Sequence, residues 1–553
     1  MYSSEPLPHF VDDYLQYLQE TRPTLAALDG IHTHDDLLED LSRSAIEADA
    51  RALAGFARRL SEIDPNGLSP VEALEQPVIA DHIRARMYEA EEIRTWERNP
   101  QLYADILSSS LAAQAIFAYA PATERARRLL SKLRQTPRLV QSARDNIKDP
   151  PGIFVKIGVE TFRGTLRFIE HDLPRALRDV DDLHLLGDLA DASTEAVQAI
   201  RSYVDYLENE QAPKARASFR LGRDRFEQKI RLEEGLGGIT VERLLAIAER
   251  ELAATEDQFR AAAAKVDGGD PLAALQKAKE RHPEPGGLVR AAEAQLGELQ
   301  AFLEKQKLVS LPSGEPVVVA PTPDFFRWST ASMWTPGPFE TRPARACYYV
   351  TDVDRSWPEE RQREHLRDFN FGTLWCISMH EVYPGHFLQY QHLRGVDSKV
   401  RKSIFFAPAS FVEGWAHYAE EMMIEAGFGK KDPFIRLGQL QESLIRLVRF
   451  VVSIRLHAED LSVEQGVRLF RERAFLEEAN ARREAERGAF DPTYLVYSVG
   501  KLMLQKLRHD VEAQQGDTFS LRNFHDQLLK QGGAPFALHR RLMLGDGAGS
   551  LIE

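Results

Sequence analysis

Two histidines six residues apart, with a proline and a glycine between them, set the hardest local condition on how this chain can fold. The stretch is His380-Glu381-Val382-Tyr383-Pro384-Gly385-His386. It departs by two residues from H-E-x-x-H, in which histidines one helical turn apart hold a metal and the intervening Glu activates water. At about 100° per residue, positions i and i+6 lie roughly 120° apart around a regular helix, so an unbroken helix cannot aim both imidazoles at one ion. Pro384 lacks the N–H of the helical ladder and collides with the preceding turn, while Gly385 tolerates unusual dihedrals. A local bulge at this dipeptide is expected to absorb the two extra residues and return His386 to the side of His380. The bland reading is a helix that ends at Tyr383, with two unrelated histidines flanking a turn.

A third ligand is expected downstream. Phe405-Phe406-Ala407-Pro408-Ala409 interrupts the chain, and a helix starting near Ser410 would fold back alongside the first. On it Glu413, His417 and Glu420 share one face at i, i+4 and i+7. Glu413 is the preferred ligand and Glu420 the fallback, because Ser410-x-x-Glu413 also matches a capping box, in which Glu413 would serve the helix end. His417 is expected behind the ligands or beside an oxyanion, since a catalytic zinc keeps an open position.

Gln389 after His386, then Glu413-Gly414-Trp415-Ala416, then Tyr497-Ser498-Val499-Gly500 complete a pattern that resembles the bacterial domain of unknown function 885 family. Its members typically show H-E-x-x-P-G-H-x-x-Q, E-G-W-A-x-Y-x-E and a late Y-x-x-G. Pro23-Thr24-Leu25-Ala26-Ala27-Leu28-Asp29-Gly30-Ile31-His32 is similar to that family's opening segment, so the likeness spans most of the chain. The family looks like a helical relative of gluzincin peptidases, which implies zinc and peptide hydrolysis without naming a substrate. His417 stands where many members carry an apolar residue, and Val451–His457 is poorer in Asp than their pattern. These differences leave the metal shell intact and bear on substrate choice.

The constellation implies a mechanism. One zinc ion per chain would sit on His380, His386 and Glu413, lowering the pKa of water and polarising the scissile carbonyl. Glu381 would be the general base that passes the proton to the leaving amine. Tyr497 is the preferred oxyanion donor, against a core position on the helix running through Leu502 and Leu504. His457 is a weaker candidate for the same role, since a histidine on a Val/Ile/Leu-rich helix is more often satisfied in the core. Ala346–Val350 reads as an edge strand able to grip a peptide backbone, with Pro316–Ala320 as its neighbour. Between them Trp328, Trp334, Pro336–Phe339 and Arg342-Pro343 either line a pocket or form a loop packed on the core.

The body is expected to be mainly α, a large helical zincin-like fold with a deep central cleft and a small β-sheet just before the metal-binding helix. Leu245, Ala248, Leu252 and Phe259 recur on one face of 241–264, as do Val197, Ile200, Val204 and Leu207 before them. Breaks fall at Pro150–Gly152, Gly268–Pro271 and Pro283–Gly287. The last divides an N-terminal helical lobe (1–287) from a catalytic region (288–553) with its short β element at 308–352, unless the two form one continuous domain. A net charge of −14 argues against nucleic-acid binding. The basic run Arg125–Arg134 reads as a solvated helix face. No apolar run is long enough to span a bilayer, the first residues lack a signal-peptide pattern, and two cysteines suit a reducing compartment, so no membrane association and a cytoplasmic location are expected.

Three functions follow from the pattern. The first is a zinc metallopeptidase for short peptides, because a deep cleft excludes folded proteins. The second is a zinc-dependent amidase for a non-peptide or modified amide. The third is a metal-free helical binding protein with a degenerate site.

Overall fold

The computed structural model describes residues 5–268, 270–312, 316–323, 327, 331–342, 345–545 and 549–553. The fold is mainly α. Four long helices organise the N-terminal body: α1 (Gln101–Ile116), α2 (Ala122–Asn146), α3 (Gly152–Arg167) and α4 (Leu183–Tyr206). α2 packs along α4, and α1 lies against α3. Val197, Ile200, Val204 and Leu207 all turn inward, as the helical period requires.

The basic run on α2 is not the solvated face expected of it. Lys132 is fully buried and donates to the Leu37 carbonyl at 2.8 Å, and Arg128 pairs with Asp35 at 2.7 Å. Only part of the run, such as Arg127 and Arg134, projects into solvent. The buried half instead fixes the loop that follows the first helices.

The second half is built around α5 (Val241–Asp267), α6 (Leu288–Gln306) and a small sheet of β1 (Val317–Pro321), β2 (Ala331–Trp334) and β3 (Ala346–Val350). Then come α7 (Phe371–Glu381), α8 (His386–Leu393), α9 (Ala409–Glu425), α10 (Pro433–Ala458), α11 (Glu478–Phe490), α12 (Val496–Gln515) and α13 (Leu521–Lys530). α5 runs along α10, burying Ala248, Leu252 and Phe259 in a core that extends to residues 499–552. Leu245 sits half-buried at its margin. Pro283–Gly287 is therefore a loop between helices, and the core continues through both sides of it.

The sheet order is β1-β3-β2, with β1 parallel and β2 antiparallel to β3. Ala346–Val350 is thus the central strand, not the edge, and both its flanks are occupied. Its expected neighbour at 316–320 is β1, paired from Val317 opposite Ala346. Among the described residues the outer strands are β1 and β2. Trp334 on β2 meets Phe117 at 5.8 Å, Arg342 donates to the Tyr119 carbonyl, and Phe339 N–H donates to Asp29 O at 3.0 Å. Trp334 therefore ends a strand, and the stretch from there to Arg342 is a loop fastened to the N-terminal body; Trp328 and Pro343 lie outside the described residues.

Candidate metal centre

α7 begins at a side-chain cap, Asn370 accepting from Thr373 N–H, and ends at Glu381. The N–H groups of Val382 and Tyr383 both turn back to the Ser378 carbonyl, at 3.0 and 3.3 Å. The Tyr383–Pro384 peptide is cis, and α8 starts afresh at His386. Gly385 lies so close to the His380 carbonyl that a Cβ there would overlap it. The Trp415 indole N–H donates to the Pro384 carbonyl at 2.9 Å and pins the turn from below. The two extra residues are therefore absorbed by a helix break and a new helix, not by a bulge in a continuous one. The break reunites the histidines, whose rings stand 4.8 Å apart and nearly perpendicular.

Glu413 arrives on α9. The Ser410 capping box does not form: the helix starts at Ala409 after Pro408, no side chain caps it, and Ser410 N–H is taken by Glu234 at 2.8 Å. α9 crosses α12 where Gly414 meets Gly500, backbone against backbone, with no room for a Cβ on either. That crossing sets the depth of Glu413 and brings Tyr497 alongside.

Glu413 Oε2 lies 3.4 Å from His380 Nε2 and 3.4 Å from His386 Nε2. All three donor atoms fall within 4.8 Å of one another. Glu413 Oε2 is buried and has no hydrogen-bond partner, an arrangement that a shared cation would satisfy. Two donors each about 2.0–2.1 Å from a tetrahedral ion stand about 3.3–3.4 Å apart, so the spacing and the N, N, O donor set fit zinc. Burial disfavours ionisation of Glu413, but the two imidazoles overcome this and hold it well below the usual carboxylate range. A second triad, Glu5, His9 and Asp13, does not fit, because Arg59 already pairs with both carboxylates.

Glu420, the fallback ligand, does a different job. Its Oε1 accepts from His380 Nδ1 at 2.7 Å, which turns the lone pair of His380 Nε2 toward Glu413 and His386. Glu420 is completely buried, and Arg446 on α10 reaches it at 3.1 Å while also holding Glu442 at 3.0 Å. His417 Nδ1 lies 3.2 Å from Glu420 Oε2, and the Cys376 thiol donates to the same oxygen at 3.2 Å. Burial keeps the His417 imidazole down at about 3, so it is a neutral donor to Glu420, on the far side of that carboxylate's bond to His380.

The family model described as "Bacterial protein of unknown function (DUF885)" matches residues 23–543. The chain belongs to the DUF885 family. Two solved structures share its fold. One is a putative lipoprotein of unknown function from Shewanella oneidensis, with TM-score 0.80 and 23% identity over 98% of this chain and 100% of that one. The other is a putative lipoprotein from Colwellia psychrerythraea, with TM-score 0.80 and 20% identity over 97% and 98%. No curated protein matches the chain. No helix among the described residues is long and apolar enough to cross a membrane.

In this DUF885 chain the late Y-x-x-G motif also falls at the site. The Tyr497 ring lies 6.4 Å from that of His380, and its hydroxyl accepts from Arg487 at 3.4 Å. Tyr497 is partly exposed, so it is not a core tyrosine. Burial and the Glu413 carboxylate raise its pKa, opposed by Arg487 and Arg449. Glu381, beside His380, has no hydrogen-bond or ion-pair partner among the described residues. His457 is not part of this group. Its Nε2 donates to the Gly488 carbonyl at 2.8 Å, its ring stacks on Phe226, and burial pulls its pKa to about 4: it is a core histidine. Arg446 was missed by sequence reasoning, although an arginine inside the apolar run Leu444–Phe450 signals a buried acid partner.

Proposed function

We propose that this chain is a zinc-dependent metallopeptidase that hydrolyses short peptides. What carries the reading is the convergence of His380, His386 and Glu413 around one buried, unpartnered carboxylate oxygen. Zinc held by these three residues would supply Lewis acidity to water and to a scissile carbonyl. Glu381, uncommitted beside His380, takes the proton of the attacking water and delivers it to the leaving amine. Tyr497 donates its phenolic hydrogen to the oxygen that gains charge. Glu420, held by Arg446, fixes the His380 ring and its tautomer. On this reading a zincin-like cleft over the centre would admit a short chain, and an outer strand of the sheet, β1 or β2 in place of the central β3, would align it. A cytoplasmic location is the accompanying expectation, resting on the two unpaired cysteines; recovery of the protein in an envelope fraction would overturn it.

The test combines elemental analysis with a mixed peptide library. About one zinc per chain is expected, lost in Glu413→Ala and retained in Glu381→Gln. The wild type should cleave peptides, and Glu381→Gln should lose about 10²–10⁴-fold in kcat. A chain that takes up no zinc, or a zinc-loaded chain that cleaves no peptide, overturns the proposal.

A further inference from the structure

Beside the metal triad lies a cavity of about 240 Å³ that the mechanism does not use. It opens between α8 and the first turn of α9, and Leu393, Ile404, Phe411, Val412 and Leu529 are the large apolar side chains of its wall. Glu413 lines it as well, so one residue belongs both to the triad and to the cavity. The polar side chains of the wall are three, Gln389, Tyr390 and Glu413, and the Gln389 Oε1 has no hydrogen-bond partner among the described residues. Glu413 Oε2 faces the two histidines, and the Gln389 amide donates to the Phe411 carbonyl at 3.4 Å. An acidic side chain entering it would lose its hydration with no counter-charge in return, since no lysine or arginine is there. An apolar one would gain, and the size suits it: a cavity of about 150 Å³ already accepts benzene.

We propose that this cavity receives an apolar side chain, of leucine to phenylalanine size, from the residue flanking the bond presented at the metal. The inference rests on the metallopeptidase reading and adds its substrate class: peptides with Leu, Phe or a similar residue next to the scissile bond. Because Glu413 sits at the junction, a side chain filling the cavity also fixes the distance of the adjoining carbonyl from the three ligands, and binding energy becomes alignment.

The test is calorimetric binding of amino-acid hydroxamates to the zinc-loaded full chain, which needs no turnover. Phenylalanine and leucine hydroxamates should bind about 10- to 100-fold tighter than glycine hydroxamate, and aspartate hydroxamate should gain nothing over glycine. Val412→Phe fills the cavity from a partly exposed position, and Ala409→Leu narrows its mouth from an exposed one. Each should cut the phenylalanine-to-glycine ratio at least about fivefold while zinc content and glycine hydroxamate binding stay as in the wild type. Equal binding of all hydroxamates, or a ratio unchanged in both variants with zinc present, overturns the cavity assignment and leaves the metallopeptidase reading standing. Failure to take up zinc overturns both.

Discussion

At the residue scale the candidate centre depends on a column of buried charge. His380 stands on Glu420, and Glu420 stands on Arg446, each buried and each the main partner of the next. Removing one member of a buried pair is costly because the survivor keeps its charge and loses its compensation. Arg446→Met should therefore destabilise the fold by about 3–5 kcal/mol in denaturant unfolding. If it folds, a chelator competition should show zinc affinity reduced about 10- to 100-fold, since His380 is no longer held in one tautomer. Tyr497→Phe tests the other side of the site. It should keep its zinc and its KM while kcat falls by about 10²–10³, because the lost hydrogen bond exists only in the transition state. An unchanged kcat would return Tyr497 to a packing role.

At the element scale, the site is made by crossings as much as by ligands. Gly414 and Gly500 let α9 and α12 touch backbone to backbone, and Gly438 and Gly372 do the same for α10 and α7. Gly500→Ala would push its new methyl into the Ser410 carbonyl and wedge the two helices apart. A loss of about 1–3 kcal/mol is expected in urea unfolding, with a weaker zinc site because Glu413 rides on the displaced helix. The same elements mark how far the sequence alone could be read. The candidate ligands were legible because metal chemistry admits few residue types at few spacings, and E-G-W-A marked the partner helix. The turn at Tyr383–Gly385 was not, since Pro-Gly announces a break without saying whether a bulge or a new helix follows. β2 was missed because Ala-Ser-Met-Trp carries none of the β-branched enrichment that marked β1. The apolar helix around His457 favoured the core position it takes, but a donor to a backbone carbonyl and a catalytic histidine look alike in one dimension, so it stayed a candidate.

At the scale of the whole molecule, the segment from Asp29 to Asp35 ties distant parts together. Its Asp29 carboxylate accepts from Ser403 and Ile404, and its Asp29 carbonyl accepts from Phe339 N–H. His32 bridges Asp35 and Glu340 at 2.8 Å each and stacks flat on Tyr119, with Arg128 also on Asp35. Burial works against the His32 charge, but the two carboxylates prevail and lift its pKa to about 8. A histidine whose folded pKa is raised contributes its full stability below the unfolded value of about 6.5 and loses it as pH climbs through 8. Wild type should therefore exceed His32→Gln in unfolding free energy at pH 6, and the gap should shrink by pH 9. A gap independent of pH would mean that stacking and shape, not charge, hold the segment. The first helices are bound in the same manner to far-off chain: Leu7, Phe10, Tyr14 and Leu18 share a core with Val400, Phe405, Phe406 and Leu538. On a ribosome adding about 5–20 residues per second, the opening helix waits roughly 20–80 s before residue 400 is even made. Residues 53–83 cover part of its apolar stripe early, but the side that meets Val400, Phe405, Phe406 and Leu538 spends that time uncovered, so nascent chains of this protein should be clients of ribosome-associated chaperones.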